Sequence, residues 1–197
     1  PCGNCSSCKK IKSFQNENVK LILPLPRGKI SSSSDPTIKA FKTEKDLNDY
    51  LSLLKEKSQD PYYNIQVSSA NTILINSIRE IKHDVSLSTV NNEWKIILIF
   101  QAEKLCIPSP AAAHSLLKIL EEPPEKTVFV LVSSQPGMIL DTIHSRCQKL
   151  YFPAISNAVV EDQLIQSGAD TVQAAIIVRI SAGDMNISMQ LKDNYSD

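Results

Sequence analysis

Two apolar runs constrain this chain most: Lys95-Ile96-Ile97-Leu98-Ile99-Phe100 and Thr127-Val128-Phe129-Val130-Leu131-Val132. Neither alternates apolar with polar residues, so both read as parallel strands covered on two faces. Parallel neighbours need a crossover of a dozen or more residues, usually a helix, and the intervening segment supplies one. Ser109-Pro110 offers a capping hydroxyl followed by proline at the first helical position. Ala113, Leu116, Leu117 and Leu120 form an inward stripe, and Pro123-Pro124 stops the helix. A third run, Lys149-Leu150-Tyr151-Phe152, follows Pro136-Gly137 and a short helical piece. Strand, helix, strand, short helix, strand is the order of an α/β domain with right-handed crossovers.

The flanks fill in the organisation. Val19 to Leu23, stopped by Pro24 and Pro26, reads as a brief edge strand, and Ser31 to Pro36 as a loop. Leu47, Tyr50, Leu51 and Leu54 recur at helical spacing over 43–57, with Thr43 as the cap, until Asp60-Pro61 breaks the pattern. Asn76 is the expected N-cap of a helix burying Ile78, Ile81 and Val85, and Asn91-Asn92 turns the chain into the next strand. Beyond Ser156 the strands stop, and helical stretches at about 157–167, 170–182 and 184–192 are joined by Gly168 and Gly183. The expected units are a cysteine module at 1–12, a partial α/β domain at 13–152 and a helical unit at 153–197. Pro1, with no Met or secretory leader, reads as the start of a piece cut from a longer protein.

Composition excludes whole classes. With 21 basic and 21 acidic residues the net charge is zero, against the surplus a free-standing phosphate binder needs. Local imbalance is modest, 11 against 7 in residues 1–60 and 2 against 6 in residues 151–197. No apolar run approaches the roughly 18 residues of a membrane helix. Three of the five cysteines, Cys2, Cys5 and Cys8, fall within seven residues. That spacing suits thiolates gathered about 2.3 Å from one Zn²⁺ better than a disulfide framework. An iron–sulfur spacing would need a cysteine where Lys12 stands. The bland alternative is three free thiols. The usage points to a reducing, cytoplasmic setting.

Leu116-Leu117-Lys118-Ile119-Leu120-Glu121-Glu122-Pro123-Pro124 resembles the Leu-Leu-Lys-x-Leu-Glu-Glu-Pro-Pro segment of clamp-loader ATPase subunits, and Ser145-Arg146-Cys147 resembles their Ser-Arg-Cys motif. The cysteine cluster resembles the zinc module of the bacterial members, the gamma/tau and delta-prime subunits of the DNA polymerase III clamp loader. The resemblance implies a RecA-like AAA+ domain, here truncated and with an insertion around 24–60, followed by a three-helix lid. It also implies a phosphate-binding loop and a fourth zinc ligand upstream of Pro1.

Within that family Phe100-Gln101-Ala102-Glu103 matches the Walker B run. Phenylalanine and glutamine stand for the metal-holding aspartate and the water-orienting glutamate. Asn186 falls where the lid's sensor arginine is expected. Arg146 persists as the arginine finger that acts in trans on a neighbouring subunit's ATP, flanked by Ser145 and Cys147. A degenerate site of its own with a kept finger implies the non-hydrolysing, delta-prime type. Its partners would be gamma/tau and delta, with the sliding clamp and primed DNA reached through the complex. Zinc would be the cofactor of the complete protein, with no ATP hydrolysis by this chain. The rival is an ATP-hydrolysing gamma/tau subunit, and a blander one a zinc scaffold on the same fold. Ser133 and Ser134 are expected as a strand cap, and Cys147 as a packed small residue.

Overall fold

A computed structural model describes residues 2–60, 62–86 and 93–194. The chain divides into two compact units, residues 1–59 with 65–149, and residues 60–64 with 150–197. The turn expected at Asn91-Asn92 lies outside the described residues.

The first unit is α/β. Strands β1 (Val19–Ile22), β2 (Lys95–Phe100) and β3 (Thr127–Val132) form a parallel sheet in the order β1-β2-β3, with Val19 opposite Ile96 and Lys95 opposite Thr127. Helix α1 (Ser6–Lys12) precedes β1. Helices α2 (Glu44–Gln59) and α3 (Ile75–Ser86) lie between β1 and β2, and α4 (Ala111–Glu121) makes the β2-to-β3 crossover. Helix α5 (Asp141–His144) follows β3. One core joins Ile97 and Ile99 of the central strand to Ile78, Ile81 and Val85 of α3, Ala113, Leu116 and Ile119 of α4, and Ile143 of α5. Each fully buried Ile or Leu contributes about 1.5–3 kcal/mol. The α3 stripe is the one read from the sequence, whereas in α4 Ile119 joins Ala113 and Leu116 in the core and the expected Leu117 and Leu120 are only half-buried beside it.

Four expectations are corrected. Strand β3 is covered on one face only, with Val128, Val130 and Val132 each about 40% exposed. An apolar run without alternation looks the same whether or not its second face finds a cover. The run Lys149–Phe152 forms no strand: among the described residues no ladder takes it up, and Leu150, Tyr151 and Phe152 are 75–89% exposed. Pro110, not Ser109, stands at the N-cap of α4, and no side chain caps it. Asn76 lies inside α3 and is 3% exposed. It donates from Nδ2 to the carbonyls of Ser32 (2.9 Å) and Asp35 (2.8 Å).

That contact belongs to a set of ties binding residues 24–59 to the sheet unit. Glu80 accepts from the Thr37 amide (2.6 Å) and hydroxyl (2.5 Å), and Leu25 bridges Thr72. Asp35 accepts from Lys39 (2.6 Å) and from the Ser31 and Ser32 amides, which holds its carboxyl well below the usual carboxylate range. Gly28, at φ +50°, has no room for a Cβ against the Ala40 carbonyl. Leu25, Ala40 and Leu74 form a small core, with Phe41 and Tyr50 rings 5.1 Å apart beside it; burial raises the Tyr50 phenol pKa. Thr43 caps α2 as expected: its hydroxyl accepts from the Asp46 amide (3.1 Å), and the Asp46 carboxylate accepts from the Thr43 amide (2.9 Å).

In the second unit α6 (Asn157–Gln166), α7 (Thr171–Ser181) and α8 (Met185–Asn194) pack around Val160, Leu164, Ala174, Ile177, Val178 and Met185. Asp170 caps α7 by accepting from the Gln173 amide (2.8 Å). Gly183, at φ +84°, passes so near Ile155 that a Cβ would sit 2.5 Å from its carbonyl oxygen. No helix among the described residues is long and apolar enough to cross a membrane.

Candidate functional site: a clasped arginine and a thiolate cluster

Arg146 owes its place to a short, well-anchored turn. Ile143, 1% exposed, fixes α5 to the core, and His144 Nε2 lies 2.9 Å from the Pro136 carbonyl. Ser145 Oγ donates to the Thr142 carbonyl at 3.1 Å. From this turn the Arg146 guanidinium reaches across to the last residue of α4. Its Nε donates to Glu121 Oε1 at 2.8 Å, and Nη2 donates to the same oxygen. Its Nη1 donates to the Thr142 carbonyl (2.7 Å) and to Ser145 Oγ (3.2 Å). The Arg146 side chain remains 29% exposed and that of Glu121 47%. Cys147 is half-buried and packs against the core, and that burial raises its thiol pKa.

At the end of β2 the matching run carries no carboxylate at its first two positions. Phe100 pairs in the ladder with Val132. Gln101 adopts a left-handed backbone (φ +53°) and donates its amide to the Ile65 carbonyl at 3.0 Å. Ala102 is fully buried. Glu103 is 5% exposed and accepts from Ser133 Oγ at 2.6 Å, with Ser134 Oγ at 3.5 Å. Ser133 and Ser134 therefore do more than end a strand: they hold a buried carboxylate between the ends of β3 and β2. Asn186, half-buried, is the second residue of α8 in the helical unit.

The cysteines converge. Cys5 caps α1, its Sγ accepting from the Cys8 amide (3.5 Å), while the Cys5 amide donates to Cys2 Sγ (3.3 Å). All three Sγ atoms lie within 4.8 Å of one another, and Cys2 and Cys8 are 4.0 Å apart. Four thiolates about 2.3 Å from a tetrahedral Zn²⁺ would sit roughly 3.8 Å from each other. The trio thus comes within about 1 Å of one face of that tetrahedron without a large rearrangement. Cys2 is exposed, and the amides of Asn4 and Cys5 lower its pKa to about 7. Among the described residues no further His, Cys, Asp or Glu joins the group.

Sequence reasoning missed Glu121 as a partner of Arg146 and the two serines as partners of Glu103. Twenty-five residues separate the first pair, and no local pattern announces such a contact.

Comparison with known proteins shows the family. The profile of the family described as DNA polymerase III, delta subunit, matches residues 1–156. The delta-prime subunit of Bacillus subtilis DNA polymerase III is 26% identical over 181 residues, 92% of this chain and 41% of that protein. The delta-prime subunit of Escherichia coli is 30% identical over 71% of this chain and 41% of its own length. The Bacillus subtilis tau subunit is 30% identical over 66% of this chain and 23% of that one. The chain therefore spans about two fifths of each of these two delta-prime subunits. With four fifths of its length matched, this chain belongs to the DNA polymerase III delta subunit family, and it is of the delta-prime type.

Proposed function

We propose that this protein is a non-hydrolysing subunit of the bacterial clamp loader that lends Arg146 to the nucleotide site of a neighbouring gamma/tau subunit. In the assembly, which would also contain delta, it would help open the sliding clamp for loading onto primed DNA. The observation that carries the reading is the pairing of a disabled strand end with a kept arginine. The Phe100 side chain has no oxygen to offer a cation, and the Gln101 amide is turned to Ile65, while the Arg146 side chain stays 29% exposed just past the end of α5. A guanidinium placed against a transferring phosphoryl group stabilises the charge that develops on its oxygens, an effect of about 10³–10⁵ in rate.

The three thiolates would hold Zn²⁺ as a structural ion, with a fourth ligand from elsewhere in the complete protein. Closed thiolate sites of this kind contribute folding energy rather than chemistry, so zinc would order α1 ahead of the sheet.

Arg146→Ala in the full-length protein, reconstituted with its partners, should lower DNA-stimulated ATPase at least tenfold while the complex still assembles by gel filtration. Unchanged ATPase would remove the finger. Brisk ATP hydrolysis by the full-length chain alone would instead favour a gamma/tau-like role.

A further inference from the structure

The geometry points to Glu121 as a latch on Arg146, occupying the face of the guanidinium that the neighbour's phosphate oxygens must take. The inference rests on the finger role proposed above and concerns its regulation.

A guanidinium has five N–H donors. Nε and one Nη2 donor go to Glu121 Oε1, and the two Nη1 donors have Thr142 O and Ser145 Oγ as acceptors. Four of five are thus taken by the chain's own oxygens. Of the two edges whose parallel donors fit a carboxylate or a phosphate, the Nη1/Nη2 edge has its Nη1 donors turned to Thr142 and Ser145, and the Nε/Nη2 edge holds a carboxylate. An incoming triphosphate oxygen must displace Glu121 or accept from the single remaining Nη2 donor.

The position of Glu121 supports the same role. It ends α4, where the partial negative charge of the last carbonyls makes an acidic side chain unfavourable and a basic one favourable. Its carboxylate is neutralised there by Arg146. Both side chains keep solvent access, 29% and 47%, so the pair opens without unpacking the core. The Nη1 bonds to Thr142 and Ser145 would survive opening and keep the head aimed.

The test uses the reconstituted complex with full-length protein and ATP. Releasing a half-exposed ion pair is worth at most about a fivefold change, which is ~1 kcal/mol. Glu121→Gln should therefore raise kcat/KM for ATP two- to fivefold, and Glu121→Asp should return it toward wild type. In an Arg146→Ala background Glu121→Gln should change nothing, whereas a merely structural role would move both backgrounds alike and lower the melting temperature. If Arg146→Ala cuts the rate but Glu121→Gln leaves kcat/KM unchanged or lower, the latch is wrong and the finger stands. If Arg146→Ala has no effect, both fall.

Discussion

Neighbouring residues at the start of α3 should respond to alanine in opposite directions. Asn76 is 3% exposed and ties two carbonyls of the loop at 32–35, whereas the hydroxyl of Ser77, 8% exposed, finds no partner among the described residues. Asn76→Ala removes two hydrogen bonds worth about 1 kcal/mol each net. Ser32 is exposed and Asp35 half-buried, so water can reach the freed carbonyls and the full desolvation penalty does not apply. The expected loss is ~2 kcal/mol, or about 4–8 °C in melting temperature for a domain of this size. Ser77→Ala deletes a buried polar group that gains nothing from folding, and should stabilise by ~1 kcal/mol, or about 2–4 °C. Calorimetry on the two single variants decides it, and hydrogen exchange locates it: amides at 31–40 should exchange faster in the Asn76 variant only. A Ser77 variant that loses stability as the Asn76 variant does would refute the hydrogen-bond accounting.

Two further outcomes concern protons. The folded-state pKa of Asp35 is depressed, by Lys39 first and then by the Ser31 and Ser32 amides, so its contribution is present above the unfolded value of about 3.9 and is lost as pH falls below it. The melting-temperature gap between wild type and Asp35→Asn should therefore be constant from pH 7 to 5 and close below about pH 4. For the thiolates, elemental analysis of the full-length protein should find one zinc per chain, absent in Cys2→Ser. Because the Cys2 pKa lies at about 7, zinc retention against a competing chelator should weaken as pH falls from 8 to 6; metal-free protein at every pH would end the zinc assignment.

What the sequence disclosed, and what it hid, divides by range. Strands β2 and β3 and helix α4 were legible because apolar periodicity and the stops at Pro123-Pro124 act within a dozen residues, and Thr43 capped α2 for the same reason. The second face of β3 was not legible, because Val128, Val130 and Val132 look alike whether covered or bare. Leu150, Tyr151 and Phe152 suggested a strand by type, but a strand exists only where a ladder accepts it. Asn76 misled: its side chain suits a cap, yet its partners lie more than forty residues back. At the candidate site the motif around Arg146 stood out in the chain, as did the cysteine spacing. The acceptors that restrain Arg146 and Glu103 come from distant segments that only folding brings near.

The bare side of β3 carries one more implication. Thr127–Val132 has neither charge nor proline, and it pairs along one edge only among the described residues. Such a six-residue stretch is the composition of a self-templating ribbon. Concentrated solutions of this chain by itself should turn turbid and bind amyloid dyes at a rate set by how often copies meet. A single lysine at Val130 would be the simplest gatekeeper against it.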